Sequence, residues 1–191
     1  MKSGRSVLFG VIAVVILVAF WFFGTKNSLV SLKEDVEMQQ SQIETTLQRR
    51  SDLIPNLVAT VKGYATHEKE VFTEIADARA KLSGSIESGN IESISEANNA
   101  LDSALGRLLA ISENYPELKA SEQFIALQDE LAGTENRISV ARQYYNEKVK
   151  AYNTTVQSFP SSFVAGMSGY YPIQYFEADE SAKKVPEVNF D

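Results

Sequence analysis

The residues able to carry chemistry in this 191-residue chain are few, and their spacing points away from catalysis. His67 is the only histidine and there is no cysteine. Thiol nucleophiles, thiolate metal sites and disulfides are therefore excluded. His67 lies in the string HEKE, between Thr66 and Val71. A helical metal-hydrolase site needs a second histidine one turn on, as in HExxH, and Val71 stands there instead. Glu70, Glu74 and Asp77 recur at helical spacing. A di-metal carboxylate site in a bundle would also need Glu-x-x-His pairs from other helices, and one histidine cannot supply them. Lys69, Arg79 and Lys81 interleave these acids, so they read as a solvated face, with Asp77 four residues before Lys81. No catalytic, cofactor or metal residue is assigned, and the chain reads as non-enzymatic.

The remaining polar residues of note read as structural. Arg49, Arg50 and Asp52 lie in one motif, and Glu135, Arg137 and Arg142 in another. Glu135 and Arg142 flank a register of large apolar residues, and charges beside a core stripe pair because an unpaired buried charge is costly. An inter-helix polar network joining the two motifs and fixing helix register is expected. Tyr145 and Tyr152 fit the same packing register, so they read as core rather than as a ligand pocket.

Those motifs need helices to position them. From Arg49 to Arg79 apolar residues recur in steps of three and four: Leu53, Leu57, Val61, Tyr64, then Val71, Ile75 and Ala78. The pattern predicts one long helix ending near Leu82, kinked or broken near Asp52 by Pro55. SGSIESGN then reads as a turn, with Asn90 capping the next helix. That helix carries Ile94, Leu101 and Leu108 and ends at Asn114 before Pro116. A last long helix, capped by Ser121, carries Phe124, Leu131, Ile138, Tyr145, Tyr152 and Phe159 in sevenfold register up to Pro160. A short helix near Ser162 to Met167 and an extended aromatic tail follow. Tyr170, Tyr175, Phe176 and Phe190 are expected to dock the tail on the bundle, since such apolar surface marks contacts.

Ahead of these, Val7 to Phe23 is an unbroken apolar run between Arg5 and Lys26. As a helix it rises about 30 Å from Ser6 to Thr25, the thickness of a bilayer core. Trp21, Phe22 and Phe23 suit the headgroup level. The bulky end FWFFGTK lacks the small residues of a signal cleavage site, so an uncleaved anchor is read. Lys2 and Arg5 before the run nearly balance Lys26 and Lys33 after it; the free amine tips the reading towards a body on the non-cytoplasmic side. The net charge of -7 argues against nucleic acid as a partner, since binding it rests on neutralising phosphates, and none is expected. Beyond the anchor, Leu29, Leu32, Val36 and Ile43 begin a heptad-like stripe. The Ile91–Asn114 helix is too short to cover its longer partners. This stripe and a distal edge of Tyr152, Val156 and Phe159 are therefore expected to stay uncovered. The expectation is a parallel homo-oligomer through the first helix, with the tail over the distal edge.

The strings RRSDLIPNLVATVKGYATHEKEVF and SENYPELKASEQFIALQDELAGTENRISVARQYYNEKVKAYN, followed by FP and YFEA, resemble the LemA family of bacterial membrane-anchored helical proteins. The resemblance covers nearly all of the chain after the anchor. It implies an N-terminal transmembrane helix and an antiparallel bundle, with no agreed activity and no catalytic residues to carry over. It also implies association with membrane organelle formation, or with membrane proteases and TPM-type proteins. The combined expectation is an all-α chain: an anchor over 1–25, an up-and-down bundle over 26–168 and an extended tail over 169–191. Its function is expected to be that of a single-pass, self-associating membrane scaffold, with the bilayer, other copies and a membrane protein as partners. An adaptor or regulator of a membrane protease is the alternative, and a metal-dependent hydrolase the third reading.

Overall fold

The computed structural model describes the backbone of residues 2–177, with side chains from Leu8 onward. All of its regular structure is helical: α1 (Lys2–Lys62), α2 (Lys69–Ser88), α3 (Ile91–Ser112), α4 (Pro116–Lys119), α5 (Glu122–Gln157) and α6 (Ser161–Ser168). The chain forms two compact units, to both of which α1 and α5 contribute.

The first unit comprises residues 1–39 and 146–173. Its α1 segment contains a stretch long and apolar enough to cross a membrane, and none of that stretch is buried by the rest of the chain. Beyond it, Leu29 and Val36 of α1 are buried, as are Val149, Tyr152 and Val156 of α5 and Val164 and Ala165 of α6. Lys148 donates to Asp35 at 2.9 Å and joins α5 to α1.

The second unit comprises residues 40–145 and 174–191, described as far as Glu177. Here α1, α2, α3 and α5 alternate in direction. The Arg79 guanidinium donates to the Ser51 carbonyl, and the Gln40 amide to the Gly89 carbonyl. These contacts lie at matched distances on either side of the 63–68 connection, as an antiparallel pair requires. Glu74 pairs with Arg107 and Lys81 with Glu96, which sets α3 antiparallel to α2. Arg49 pairs with Glu130 and Arg50 with Glu135, joining α5 to α1, and Asp35 further back on α1 pairs with Lys148 further on in α5, so the two helices run antiparallel. The core is the inward stripe of each helix, including Ile43, Leu47, Ile54, Leu57, Ile75, Leu82, Ile94, Leu101, Leu108, Phe124, Ile138 and Tyr145. Burying each such side chain stabilises the fold by about 1.5–3 kcal/mol.

Several sequence expectations are corrected. Pro55 does not break the first helix, which continues to Lys62; the reversal comes at residues 63–68. A proline leaves the carbonyl four residues back without its helical donor. That carbonyl belongs to Ser51, which is fully buried, and Arg79 Nε fills the vacancy at 3.0 Å. The helix therefore runs through. SGSIESGN is not a loop: α2 continues to Ser88, and the turn is confined to Gly89, at φ 65°, and Asn90. Only glycine adopts that left-handed conformation without strain. Asn90 does cap α3, its side-chain oxygen accepting from the Ser93 N–H at 2.9 Å. The last long helix stops at Gln157, so Phe159 lies outside it and is 90% exposed.

The stripe expected to face another copy is not a free surface. Leu29, Val36 and Ile43 are each at most 2% exposed within one chain, and Leu32 is half-buried. Tyr152 and Val156 are likewise buried. The length of α3 alone does not decide which faces stay open, because α5 and α6 also bury residues in the first unit.

Candidate functional site

The densest polar arrangement lies in the second unit and is built on Arg50, whose side chain is only 8% exposed. Its guanidinium reaches Glu135 of α5 at 2.7 Å and Asp102 of α3 at 2.5 Å. A weaker 3.4 Å bond goes to the Asn98 side-chain oxygen. Asn98 in turn donates to Asp102 at 2.8 Å, which orients the carboxylate. One arginine from α1 thus holds groups from α3 and α5, and its planar fork suits several fixed acceptors better than an ammonium would.

Arg142 completes the cluster. It lies within the field of Glu135 and Asp102, and its guanidinium sits over the Phe176 ring at 4.8 Å. Among the described residues its Nε and Nη2 are buried without hydrogen-bond partners, so the aromatic face takes their place. Burial draws the Arg142 pKa down, opposed by the nearby Glu135 and Asp102. Burial also raises the Asp102 carboxyl above its ordinary value, opposed by Arg50. Two cations and two carboxylates balance, and this is the charge pattern of a structural cluster.

The described tail lies on helices of each unit. In the first unit Asn153 grips Ile173 by both backbone groups, donating to its carbonyl and accepting from its N–H, each at 2.8 Å. In the second, the Tyr145 hydroxyl donates to the Gln174 carbonyl at 3.0 Å and Ser95 to the Glu177 carbonyl at 2.9 Å. Phe176 is 3% exposed. The tail is extended and has no strand partner, so these side chains satisfy backbone groups that would otherwise be left unpaired.

Of the residues singled out from sequence, Arg50, Glu135 and Arg142 lie together. Arg49 and Arg137 instead meet Glu130, at 2.6 and 3.9 Å, on an exposed face. Asp52 belongs to neither group: it is exposed and accepts from Gln48 on its own helix. Of the tail residues, Phe176 is buried, Tyr170 half-buried and Tyr175 exposed, while Phe190 lies outside the described residues. His67 is exposed, and among the described residues no group of three or more metal-binding side chains comes together. Glu74 pairs with Arg107, and Lys81 meets Glu96 rather than Asp77.

Sequence reasoning missed Asn98, Asp102, Arg79 and Asn153. Asn98 carried a usable signal: it falls between Ile94 and Leu101 on the apolar stripe of α3, with Asp102 one turn on. A polar residue in such a stripe needs a partner.

The model of the LemA family matches residues 39–190. Magnetosome protein MamQ of Magnetospirillum gryphiswaldense is 27% identical over 201 residues, covering 92% of this chain and 74% of the relative. Magnetosome protein MamQ 1 of Paramagnetospirillum magneticum is 26% identical over 205 residues, covering 92% and 75%. Protein LemA of Metamycoplasma hominis is 27% identical over 181 residues, covering 93% and 82%.

Proposed function

Because this chain belongs to the LemA family, and because one unbroken helix carries an uncovered apolar stretch directly into a bundle, we propose that it is a non-enzymatic, membrane-anchored scaffold. The continuity of α1 is the observation that carries the reading. An anchor fused to the bundle without a flexible linker transmits force and orientation to the bilayer, whereas a tethered enzyme has no need of that rigidity. The magnetosome relatives support a role in shaping or organising membrane. Self-association belongs to this reading, but the buried α1 stripe is not available for it. Copies would meet through the uncovered span, held parallel and concentrated by the bilayer. This reading puts the body on the non-cytoplasmic side, which an active alkaline phosphatase fused to the C-terminus would support and an inactive one would contradict.

The test is reconstitution of the full-length protein into liposomes at rising density, viewed by electron cryomicroscopy. Vesicles that deform or cluster with density are expected; vesicles unaltered at every density overturn the scaffold. The adaptor reading predicts instead a membrane protease co-purifying in fixed stoichiometry.

A further inference from the structure

In a chain with 23% charged residues, Ala151 to Phe176 contains none. Within this run four large apolar residues recur every fourth position: Phe159, Phe163, Met167 and Tyr171. They are 90%, 66%, 67% and 71% exposed. The opposite side of α6 is also apolar, with Val164 and Ala165 fully packed. Between its serine ends α6 is thus apolar on its exposed side as well as on its packed side, and an apolar face turned outward needs a covering medium. Its position supplies the missing medium. A shallow cleft in the first unit is lined by Trp21, Gly24, Thr25 and Ser28 of α1 together with Thr155 and Ser161. The start of α6 therefore lies level with the end of the apolar run, where an aromatic belt meets the headgroups.

We propose that α6 and its flanking residues are a second membrane contact, a monotopic foot. Phe159, Phe163 and Met167 enter the headgroup–acyl boundary of the same bilayer that α1 crosses. Lipid is chosen over a protein partner for two reasons. The surface carries no charge to orient a protein, its polar groups being neutral ones such as Gln157, Ser158 and Tyr171 that suit a headgroup region, and it lies beside the end of the apolar run. The foot would fix the tilt and rotation of the body, which a single span leaves free. This inference rests on the reading of α1 as a span, and its test separates the two.

Trp21 is the only tryptophan. The native full-length protein in nanodiscs of brominated phosphatidylcholine reports the span through Trp21. A Trp21→Phe, Phe163→Trp double variant reports α6, and Trp21→Phe, Val140→Trp reports an exposed site on α5 in the other unit. Each change is at an exposed position, so folding is preserved, and helical circular dichroism checks it. The expected result is that tryptophan at 163 emits to the blue and loses most of its emission to bromines near the glycerol end, with less loss to bromines at mid-chain. Tryptophan at 140 stays red and unquenched. Trp21 quenched with tryptophan 163 red and unquenched would overturn the foot and leave the span standing. Tryptophan 163 blue but unquenched would show protein covering the surface and overturn lipid as its occupant. Neither tryptophan quenched would overturn span and foot together.

Discussion

At the scale of single residues, the fold depends on a few side chains that repair what the helices leave open. Arg79 is the clearest case, since it serves a carbonyl that Pro55 deprives of its helical donor. Arg79→Ala should cost about 1–3 kcal/mol, the penalty for a buried acceptor left unpaired. In a Pro55→Ala background the backbone donor returns and the same change should cost less than about 1 kcal/mol. A double-mutant cycle of thermal midpoints measures the difference. Arg50→Met removes the cation that Asp102 and Glu135 contact directly and leaves only the field of Arg142. Its cost should be about 2–4 kcal/mol, below the full buried-pair range because both carboxylates keep some solvent. Arg50→Lys should recover only part, because one ammonium cannot span the acceptors.

Other buried and paired residues set an alkaline limit. Burial pushes the Tyr145 phenol up to about 12 and raises Tyr152 as well. Above pH about 10 the unfolded chain ionises these tyrosines first, so stability falls as pH rises towards 12. Lys33 and Lys148, raised by Glu37 and Asp35, act in the same direction, since their paired stability is lost as they deprotonate. Melting temperature should be flat to pH about 9.5 and decline above it, less steeply in Tyr145→Phe. Arg50, Glu135 and Arg142 could be named from sequence because charges flanked a core register. Arg79 could not: its role depends on a carbonyl 28 residues back.

At the scale of elements, periodicity located the stripes well and the breaks poorly. Leu57, Val61, Ile75, Leu101 and Tyr145 lie inside as their spacing required. The reversal at 63–68 was missed because Pro55 is the stronger local breaker, and a tertiary hydrogen bond overrode it. The sevenfold gap from Tyr64 to Val71 was the visible trace of the true break. The docked tail was legible as an aromatic excess, but its grip by Asn153 was not: like Asn98, Asn153 falls within an apolar stripe, between Val149 and Val156, which signals a partner without saying that it is the Ile173 backbone. Asn153→Ala should leave helical content unchanged and speed amide exchange over residues 170–177. Unchanged exchange there would show that Phe176 and Ser95 hold the tail without it.

At the scale of the whole molecule, each unit buries its own apolar stripes, and among the described residues the most exposed large apolar side chains cluster on the span and around α6, with scattered ones such as Val140 elsewhere. That distribution explains why the stripe from Leu29 to Ile43 misled: an apolar helix face shows that a partner exists and not which segment supplies it. It also gives the account its central claim, that the body works only while fixed to a bilayer. The most direct measurement is electron tomography of cells expressing graded amounts of the full-length chain, beside cells in which a cleavable secretion signal replaces residues 1–25. The account predicts membrane rearrangement that scales with the full-length protein and disappears when the body is released. Membranes indistinguishable at every level of full-length protein, or equal rearrangement by the released body, would contradict it.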